Sequence, residues 1–415
     1  MSADERHRRR PLLIAGALAA VAIVVVIAVA TGGGGKSRSS STSSTASTSS
    51  ATSPSPSAPA TGEAPLGPPA QPAPAGHEYG ANVDWLFRPH EYSRGQVGAQ
   101  LEQLRRTGAM LARADTVWEA SEPAPPVAGV HHYDWTVDDW IAKALATHGL
   151  RWLPVIDYTA PWAQSIPGKN VSPPRSAADY AAYAGAFAAR YGDNGSFWST
   201  HPTIPPDPVD TIEIWNEPDT PQFWDPKPDP AAYADMYLRA RDAITASDPS
   251  VRVIIGGLAH PAQFMRALLG ARRQMAAHVD GVGIHPYGPN PLAILASIRA
   301  DRELLRSVGL AETPLYVTEF GWATNPVGTL DYLPERLRPT YISSTLAAIG
   351  HTDCGVAATL IYTWITPRRD PATGEEWFGI QSPTEGPSPD TAAFTSSVRR
   401  ASAPSPPLRL CSRAR

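Results

Sequence analysis

The sequence lacks bulky side chains over one long segment near its N-terminus. Residues 31–76 contain no aromatic residue, valine or isoleucine, and 41 of the 46 positions are Ser, Thr, Pro, Gly or Ala. Such a composition cannot bury a hydrophobic core. The segment is therefore predicted to be a disordered linker, and the folded part of the chain is expected to begin at residue 77.

Positive charge is scarce in the part of the chain that can fold. The formal net charge of the 415 residues is −4, of which residues 1–10 carry +2, residues 31–76 carry +1 and residues 399–415 carry +5. Residues 77–398 therefore carry −12. Because phosphate binding requires clustered Lys and Arg, nucleic acid and other strongly anionic polymers are disfavoured as partners. A neutral partner is expected instead.

Motifs for cofactors and metals are also missing. No G-x-G-x-x-G run follows the first strand-like segment, and no pair of histidines has the H-x-x-x-H spacing on a helical stretch. The sequence therefore predicts no dinucleotide, no other cofactor and no metal. Only two cysteines occur, Cys354 and Cys411, which either pair or remain two independent buried thiols.

The N-terminus carries an export or membrane signal. A basic flank at 1–10 precedes twenty uncharged, mostly apolar residues at 11–30, which is about the length that spans a bilayer. This segment is either a transmembrane signal anchor or a signal peptide cleaved after Ala28-Val29-Ala30. Because positive flanks stay in the cytoplasm, the rest of the chain is expected outside the cell, either on a single-pass membrane anchor or secreted.

Strand-like and helix-like segments alternate through the rest of the chain. Helical stretches at 177–191, 230–246, 291–308 and 334–349 separate many of the strands, and such alternation predicts a parallel sheet. Eight apolar runs have strand length: 79–86, 110–117, 152–158, 209–215, 251–258, 279–285, 315–320 and 356–364. Eight strand–helix units predict an α/β fold of the (β/α)8 TIM barrel type over 77–400, followed by a basic tail at 401–415.

Two glutamates each close one of these strands. Glu217 follows the fourth strand and Glu319 follows the seventh, 102 residues later. That spacing corresponds to 34 residues for each of three units, close to the roughly 31 of a 250-residue barrel. A lone glutamate at a strand end is usually a solvated cap or an ion-pair partner. A pair at one barrel mouth, however, has the chemistry that glycosidic bond cleavage requires.

Other polar and aromatic residues end the remaining strands. Arg113 and Asp157 lie at the ends of the second and third strands, and His285 and Tyr287 follow the sixth. Six of the twelve tryptophans fall on strand ends or loops, where indole rings suit the apolar faces of sugars. Three are assigned to the cleft: Trp364 is predicted to form the floor beneath the attacked sugar, with Trp162 and Trp224 further along.

In combination, these motifs resemble glycoside hydrolase clan A, the retaining (β/α)8 glycosidases. The resemblance is greatest to family 39 and related endo-acting hydrolases of bacterial exopolysaccharides, and it covers residues 77–400. It rests on Arg113-x-Asp115 with Trp118, Pro161-Trp162-Ala163, Trp215-Asn216-Glu217-Pro218, His285-Pro286-Tyr287 and Thr318-Glu319-Phe320-Gly321-Trp322.

The resemblance implies a role for each residue of the mouth. Glu319 would be the ionised nucleophile, supported by Arg113 and Tyr287, and Glu217 would be the acid/base that holds a proton. Asn216 would bind the sugar 2-hydroxyl, although strict alternation would aim it away from Glu217 unless the strand bulges or twists there. His285 either polarises this network or is a structural histidine bonded to the backbone.

The expected function is thus that of a retaining β-glycosidase acting on a neutral extracellular polysaccharide or oligosaccharide as a monomer. The alternative is a non-catalytic carbohydrate-binding protein at the cell surface, built on a glycosidase-like barrel. The barrel topology brings Cys354 and Cys411 to one face, which favours a disulfide between them. The active-site expectation requires the two carboxylates to lie about 5 to 5.5 Å apart.

Overall fold

A computed structural model describes residues 67–329, 331–382, 386–401 and 408–412. In this part of the chain the predicted (β/α)8 barrel is confirmed, because eight parallel strands pair in sequence order and the last closes on the first. The strands are β1 (Glu78–Asn82), β2 (Leu111–Asp115), β3 (Arg151–Ile156), β4 (Thr211–Ile214), β5 (Arg252–Leu258), β6 (Gly281–Ile284), β7 (Leu315–Val317) and β8 (Val356–Ile361).

Helices surround the barrel and follow most strands. They are α1 (Asp84–Phe87), α2 (Arg94–Arg106), α3 (Trp118–Ser121), α4 (Thr136–Thr147), α5 (Ala177–Tyr191), α6 (Ser196–Thr200), α7 (Pro230–Ser247), α8 (Pro261–Ala271), α9 (Pro291–Ser307), α10 (Arg338–Ile349) and α11 (Pro389–Ala401). Short 3-10 turns occupy Arg273–His278, Glu335–Leu337 and Glu375–Trp377.

Local sequence signals fix where several helices begin. The Ser93 and Gln96 side chains form a reciprocal capping box at the start of α2. Asp229 and Asn290 cap α7 and α9, and each cap is followed by a proline at the first helical position, which lacks an N–H and has its φ already set for a helix.

Buried tyrosines on the helices fix the carboxyl ends of the neighbouring strands. Tyr180 on α5 donates to the Ile156 carbonyl at the end of β3. Tyr233 on α7 donates to the Ile214 carbonyl at the end of β4, at 2.7 Å, and accepts from the Gly256 amide of β5. Because these are the strand ends that carry the polar residues of the mouth, the helices contribute directly to its shape.

Alternation along the strands separates two buried regions. A small apolar cluster fills the barrel interior and consists of Leu111, Leu153, Ile254, Tyr316, Ala357, Ala358 and Leu360. A much larger cluster lies between the strands and the helices. Above the small cluster, polar side chains replace apolar ones on the inward-facing positions, and they form the mouth described below.

The segments that flank the barrel are held at its amino-terminal end. Residues 67–76, at the end of the predicted linker, lie against this end, where the buried Arg241 side chain donates to the Pro68 and Pro69 carbonyls. Cys354 and Cys411 form a disulfide with their Cα atoms 5.1 Å apart. The predicted membrane segment at 11–30 lies outside the described residues, and no described helix has the length and apolar character needed to span a bilayer.

Candidate active site

The β4 strand ends at Ile214 because the next residues leave the extended conformation. Trp215 has a φ of 69° and Glu217 a φ of 41°, both in the left-handed region. Such backbone in residues other than glycine costs roughly 1–3 kcal/mol and is concentrated at functional sites. The twist resolves the expected conflict with strand alternation, because neighbouring Asn216 and Glu217 both reach interior side chains of the mouth.

Glu217 and Glu319 face each other across the mouth, with His285 between them. One oxygen of each carboxylate and one ring nitrogen of His285 all lie within 4.8 Å of one another. The His285 Nδ1 atom is 2.8 Å from Glu217 Oε1, and its Nε2 atom is 3.6 Å from Glu319 Oε1. The topology therefore brings together the two glutamates that the sequence placed 102 residues apart.

Glu319 receives two strong donors. The Arg113 guanidinium is 2.7 Å from Oε1, and the Tyr287 hydroxyl donates to Oε2 at 2.8 Å. Burial, reinforced by the nearby Glu319 charge, raises the pKa of Tyr287 well above its ordinary value, so the hydroxyl keeps its proton and remains a donor. Both contacts hold the carboxylate in a fixed position in the mouth, and a hydrogen bond with a charged partner is stronger than one between neutral groups.

Arg113 is the centre of a buried ionic network. Its side chain forms a forked pair with Glu213, at 2.7 and 3.2 Å, and also donates to Asn82 Oδ1. Burial alone would lower the pKa of Arg113, but the Glu213 and Glu319 charges raise it well above its ordinary value. Arg113 is therefore a permanent positive charge beside Glu319.

The environment of His285 favours its charged form. Burial lowers its pKa, but the Glu319 and Glu217 carboxylates outweigh burial and raise it above the ordinary value. The ring also fits closely against β5, because a Cβ atom built on Gly257 would lie 2.0 Å from Nε2. The hydrogen bonds of His285 go to Glu217 and to the Thr318 hydroxyl, so its side-chain partners belong to the mouth.

Asn216 is oriented by the same arginine. Its Oδ1 atom accepts from Arg113 Nη2 at 2.9 Å, which assigns the carbonyl side of the amide to the protein. The amide nitrogen is then the group that remains for a ligand. This arrangement suits a donor to a sugar hydroxyl next to Glu217.

For two of the three tryptophans assigned to the cleft, the prediction is wrong. Trp364 is fully buried and its indole nitrogen donates to Gln100 on α2, so it lies behind the barrel wall and not under a sugar. Trp224 is 1% exposed and packs edge-on against Trp215. In both cases the chain leaves the strand before the tryptophan, so its side chain turns towards the helices.

Trp162 lies in the long loop between β3 and α5. Its indole nitrogen donates to the Glu122 carbonyl at 2.8 Å, and its ring contacts Trp118 and His131. It is half-buried on the side of the mouth formed by the loops after β2 and β3. Its part in substrate binding stays a prediction.

Tyr362, two residues before Trp364, is the aromatic residue that faces the mouth at the end of β8. Alternation from the interior residues Ala358 and Leu360 brings Tyr362 to the mouth, where its hydroxyl contacts Glu375. Burial raises the pKa of Tyr362 well above its ordinary value, and the Glu375 and Glu319 charges raise it further, so the hydroxyl keeps its proton. The period of two along β8 was the signal that could have identified it.

Asp157 lies inside the mouth, but neither of its carboxylate oxygens has a hydrogen-bond partner. It is 1% exposed, and the charges that act on it after burial are those of Asp115, Arg113, Asp84 and Glu213. Asp84 and Asp115 are half-buried at the ends of β1 and β2. Sequence reasoning assigned Asp157 to the substrate and missed Asp84.

Two groups in the described chain have the donor spacing of a metal site. In the first, Glu217, His285 and Glu319 converge, but the Arg113 guanidinium 2.7 Å from Glu319 opposes a cation there. The second includes Cys354 and Cys411, whose sulfur atoms are already joined in the disulfide. The described side chains of the mouth are therefore acids, bases and hydrogen-bond donors.

Comparison with solved structures relates this barrel to glycosidases. A monomeric β-xylosidase from Caulobacter crescentus CB15 is 21% identical, with a TM-score of 0.58 over 80% of this chain and 69% of that one. A family 39 enzyme from Xanthomonas axonopodis pv. citri is 19% identical, with a TM-score of 0.59 over 80% and 67%. A GH5_18 protein from Bifidobacterium longum, solved with Manβ1-4GlcNAc, is 13% identical, with a TM-score of 0.58 over 80% of both chains.

The sequence itself carries no comparable match. No family model matches it, and no curated protein does. The resemblance to clan A is therefore confirmed at the level of the fold: the chain has the eight-stranded barrel of the family 39 and family 5 glycosidases.

Proposed function

We propose that the protein is a retaining β-glycosidase that hydrolyses O-glycosidic bonds of an extracellular polysaccharide or oligosaccharide. The observation that carries the proposal is the approach of the Glu217 and Glu319 oxygens to within 4.8 Å. Retaining glycosidases hold their carboxyl groups about 5–5.5 Å apart, whereas inverting ones need about 6.5–9.5 Å to admit a water. The short separation supports a covalent, two-step reaction.

The surroundings of the two glutamates assign their roles. Glu319, bound by Arg113 and Tyr287, is the nucleophile that attacks the anomeric carbon. Glu217 gives its proton to the leaving oxygen as the glycosidic bond breaks, so a glycosyl ester on Glu319 and a free hydroxyl are formed. Glu217, now ionised, takes a proton from water, which attacks the ester and releases the sugar and the Glu319 carboxylate.

His285 positions the acid/base Glu217. With its pKa raised by Glu319 and Glu217 against the effect of burial, its Nδ1 atom donates to Glu217 Oε1 at 2.8 Å and so holds the acid/base in place. Asn216 donates from its free amide nitrogen to the sugar 2-hydroxyl, a contact that strengthens in the transition state.

The test is hydrolysis of aryl β-glycosides and polysaccharides by the full chain. Glu217→Gln and Glu319→Gln are expected to remove turnover, whereas Glu119→Gln, an exposed glutamate on α3, leaves it unchanged. Binding of glycans without turnover by the wild-type protein would refute the proposal and favour the carbohydrate-binding alternative.

We further propose that the domain works outside the cytoplasm as a monomer, anchored by or exported with residues 11–30. The disulfide between Cys354 and Cys411 supports this compartment, because disulfides persist in oxidising environments. Labelling of intact cells with a membrane-impermeant reagent tests it, and a protein protected from the reagent would contradict it.

A further inference from the structure

We propose that the mouth binds a sugar carrying a free ammonium group, held by Asp84 and Asp115, so that the substrate is an amino-sugar polymer. The inference rests on the proposed function and names the substrate class of the same site. It departs from the neutral substrate expected from composition. The two residues are called the acidic pair below.

The acidic pair has almost no partner within the described part of the protein. Asp84 Oδ1 accepts one hydrogen bond, from the Asp115 amide at 2.7 Å. The Asp115 carboxylate accepts none, and no lysine, arginine or histidine nitrogen of the described residues lies within 4.0 Å of either carboxylate. A buried or half-buried carboxylate normally accepts several donors, so the missing ones are left for a ligand.

A second observation points in the same direction. Asp157, which directly follows the neighbouring strand β3, is 1% exposed, and both of its carboxylate oxygens lack a partner. It occupies an inward-facing position two residues beyond Val155, which pairs with Asp115 of β2. Burial raises the pKa of Asp157 well above its ordinary value, and the Asp115 charge raises it further, so a positively charged ligand group at the pair would favour the ionised form of Asp157.

The arginine side chains near the acidic pair already have other partners. Arg113 is shared between Glu213 and Glu319, at 2.7 Å from each. Arg88 places its guanidinium over the Trp85 ring, 3.5 Å from the centroid, and acts on the pair only at longer range. A positively charged group on the ligand would therefore supply the charge partner that the acidic pair lacks in the protein.

An ammonium group fits this arrangement better than a metal ion does. Calcium holds its oxygen ligands at about 2.3–2.6 Å, so any two of them lie within about 5 Å of each other. Among the described residues, the groups of three donors that come within 4.8 Å of one another do not include Asp84, Asp115 or Asp157. Calcium also requires about six to eight oxygen ligands, whereas an ammonium has three donors and can be bound by the two carboxylates of the acidic pair.

The acidic pair is also within a sugar's reach of the reacting centre. Asp115 follows Arg113 on β2 by two residues, about 6.6 Å further towards the mouth. Arg113 in turn touches Glu319. Beyond the site, the net charge of −12 on residues 77–398 attracts a cationic polymer and repels an anionic one.

The test is calorimetric titration of the full chain carrying Glu217→Gln, which prevents turnover. The ligands are three β-1,4-linked trisaccharides, of glucosamine, of N-acetylglucosamine and of glucose, which differ only in the group at C2. The glucosamine trimer is expected to bind about 10- to 100-fold more tightly than the other two, the value of one charged hydrogen bond.

Variants assign the preference to the acidic pair. Asp115→Asn and, independently, Asp84→Asn are expected to remove the preference for the glucosamine trisaccharide. Glu119→Gln removes an equal charge from an exposed position and is expected to keep the preference. Equal binding of the three trisaccharides, or a preference that survives both substitutions, would overturn the inference. Hydrolysis of glucose polymers without an amino-sugar preference would leave the proposed function standing, and selective binding without hydrolysis by the wild type would refute only the function.

Discussion

Removal of a single hydroxyl, in Tyr287→Phe, tests whether the contacts of Glu319 support catalysis. The phenol donates to Glu319 Oε2 at 2.8 Å, and the substitution keeps the ring that packs near Phe378. A hydrogen bond to a charged group contributes about 1.5–3 kcal/mol. At about 1.4 kcal/mol for each factor of ten, kcat/KM is expected to fall about 10- to 100-fold. Some activity is expected to remain in Tyr287→Phe because Arg113 still pairs with Glu319.

Tyr237→Phe is the matched control for this experiment. Its hydroxyl is also buried and donates to the Val253 carbonyl at 2.7 Å, but it lies on α7 outside the barrel wall. Tyr287→Phe loses a bond to a charged group and Tyr237→Phe loses bonds to the Val253 and His278 carbonyls, so each is expected to lose about 1–3 kcal/mol of folding stability in chemical unfolding. Only Tyr287→Phe is expected to lose activity. If it keeps kcat/KM within about twofold of wild type, or if Tyr237→Phe loses as much, the role given to Tyr287 is refuted.

Three further predictions concern the tail and the mouth. Cys354→Ser is expected to cost about 4 kcal/mol in chemical unfolding, since the bond with Cys411 spans 57 residues; a reductant should abolish the difference from wild type. Burial raises the pKa of Asp353, but hydrogen bonds from the C-terminal tail lower it to about 2, so its stabilisation is present above about pH 4 and lost as pH falls through 2. The Tm difference between wild type and Asp353→Asn should vanish over that range, and a constant difference would contradict it. Tyr362→Ala is expected to lower kcat/KM at least about tenfold, whereas Trp364→Phe, which loses the bond to Gln100, lowers Tm and spares turnover.

The sequence predicted the barrel because each strand and helix carries its own signal. The helix expected at 177–191 is observed as Ala177–Tyr191, and the one expected at 291–308 ends one residue earlier. Strands were placed less well at their carboxyl ends. The fourth was expected to run to 215 but stops at Ile214, because Trp215 adopts a left-handed backbone that composition cannot reveal.

The charged centre of the mouth was predictable for the same reason. Glu217, Glu319, His285 and Tyr287 follow apolar runs and Arg113 lies inside one, and the closed barrel brings these segments together. Their partners were harder to find. Glu213 lies inside a strand and reads as a solvated residue, yet it is fully buried in its pair with Arg113.

The predictions for the tryptophans failed because the position of a tryptophan in the sequence does not determine the direction in which its ring points. Trp364 and Trp224 follow strands, but in loops whose backbone directs them into the packing between strands and helices. Loop geometry depends on contacts with distant residues such as Gln100, and a single sequence does not show these. Counting inward positions along β8 would have selected Tyr362.

The stereochemistry of hydrolysis tests the central claim most directly. Proton NMR of the first sugar released from a β-glycoside reports which anomer leaves the enzyme, before mutarotation mixes the two forms. The Glu217 and Glu319 oxygens come within 4.8 Å, and two successive displacements at the anomeric carbon, first by Glu319 and then by water, predict that the β-anomer appears first. Initial release of the α-anomer would show a single displacement by water and contradict the account.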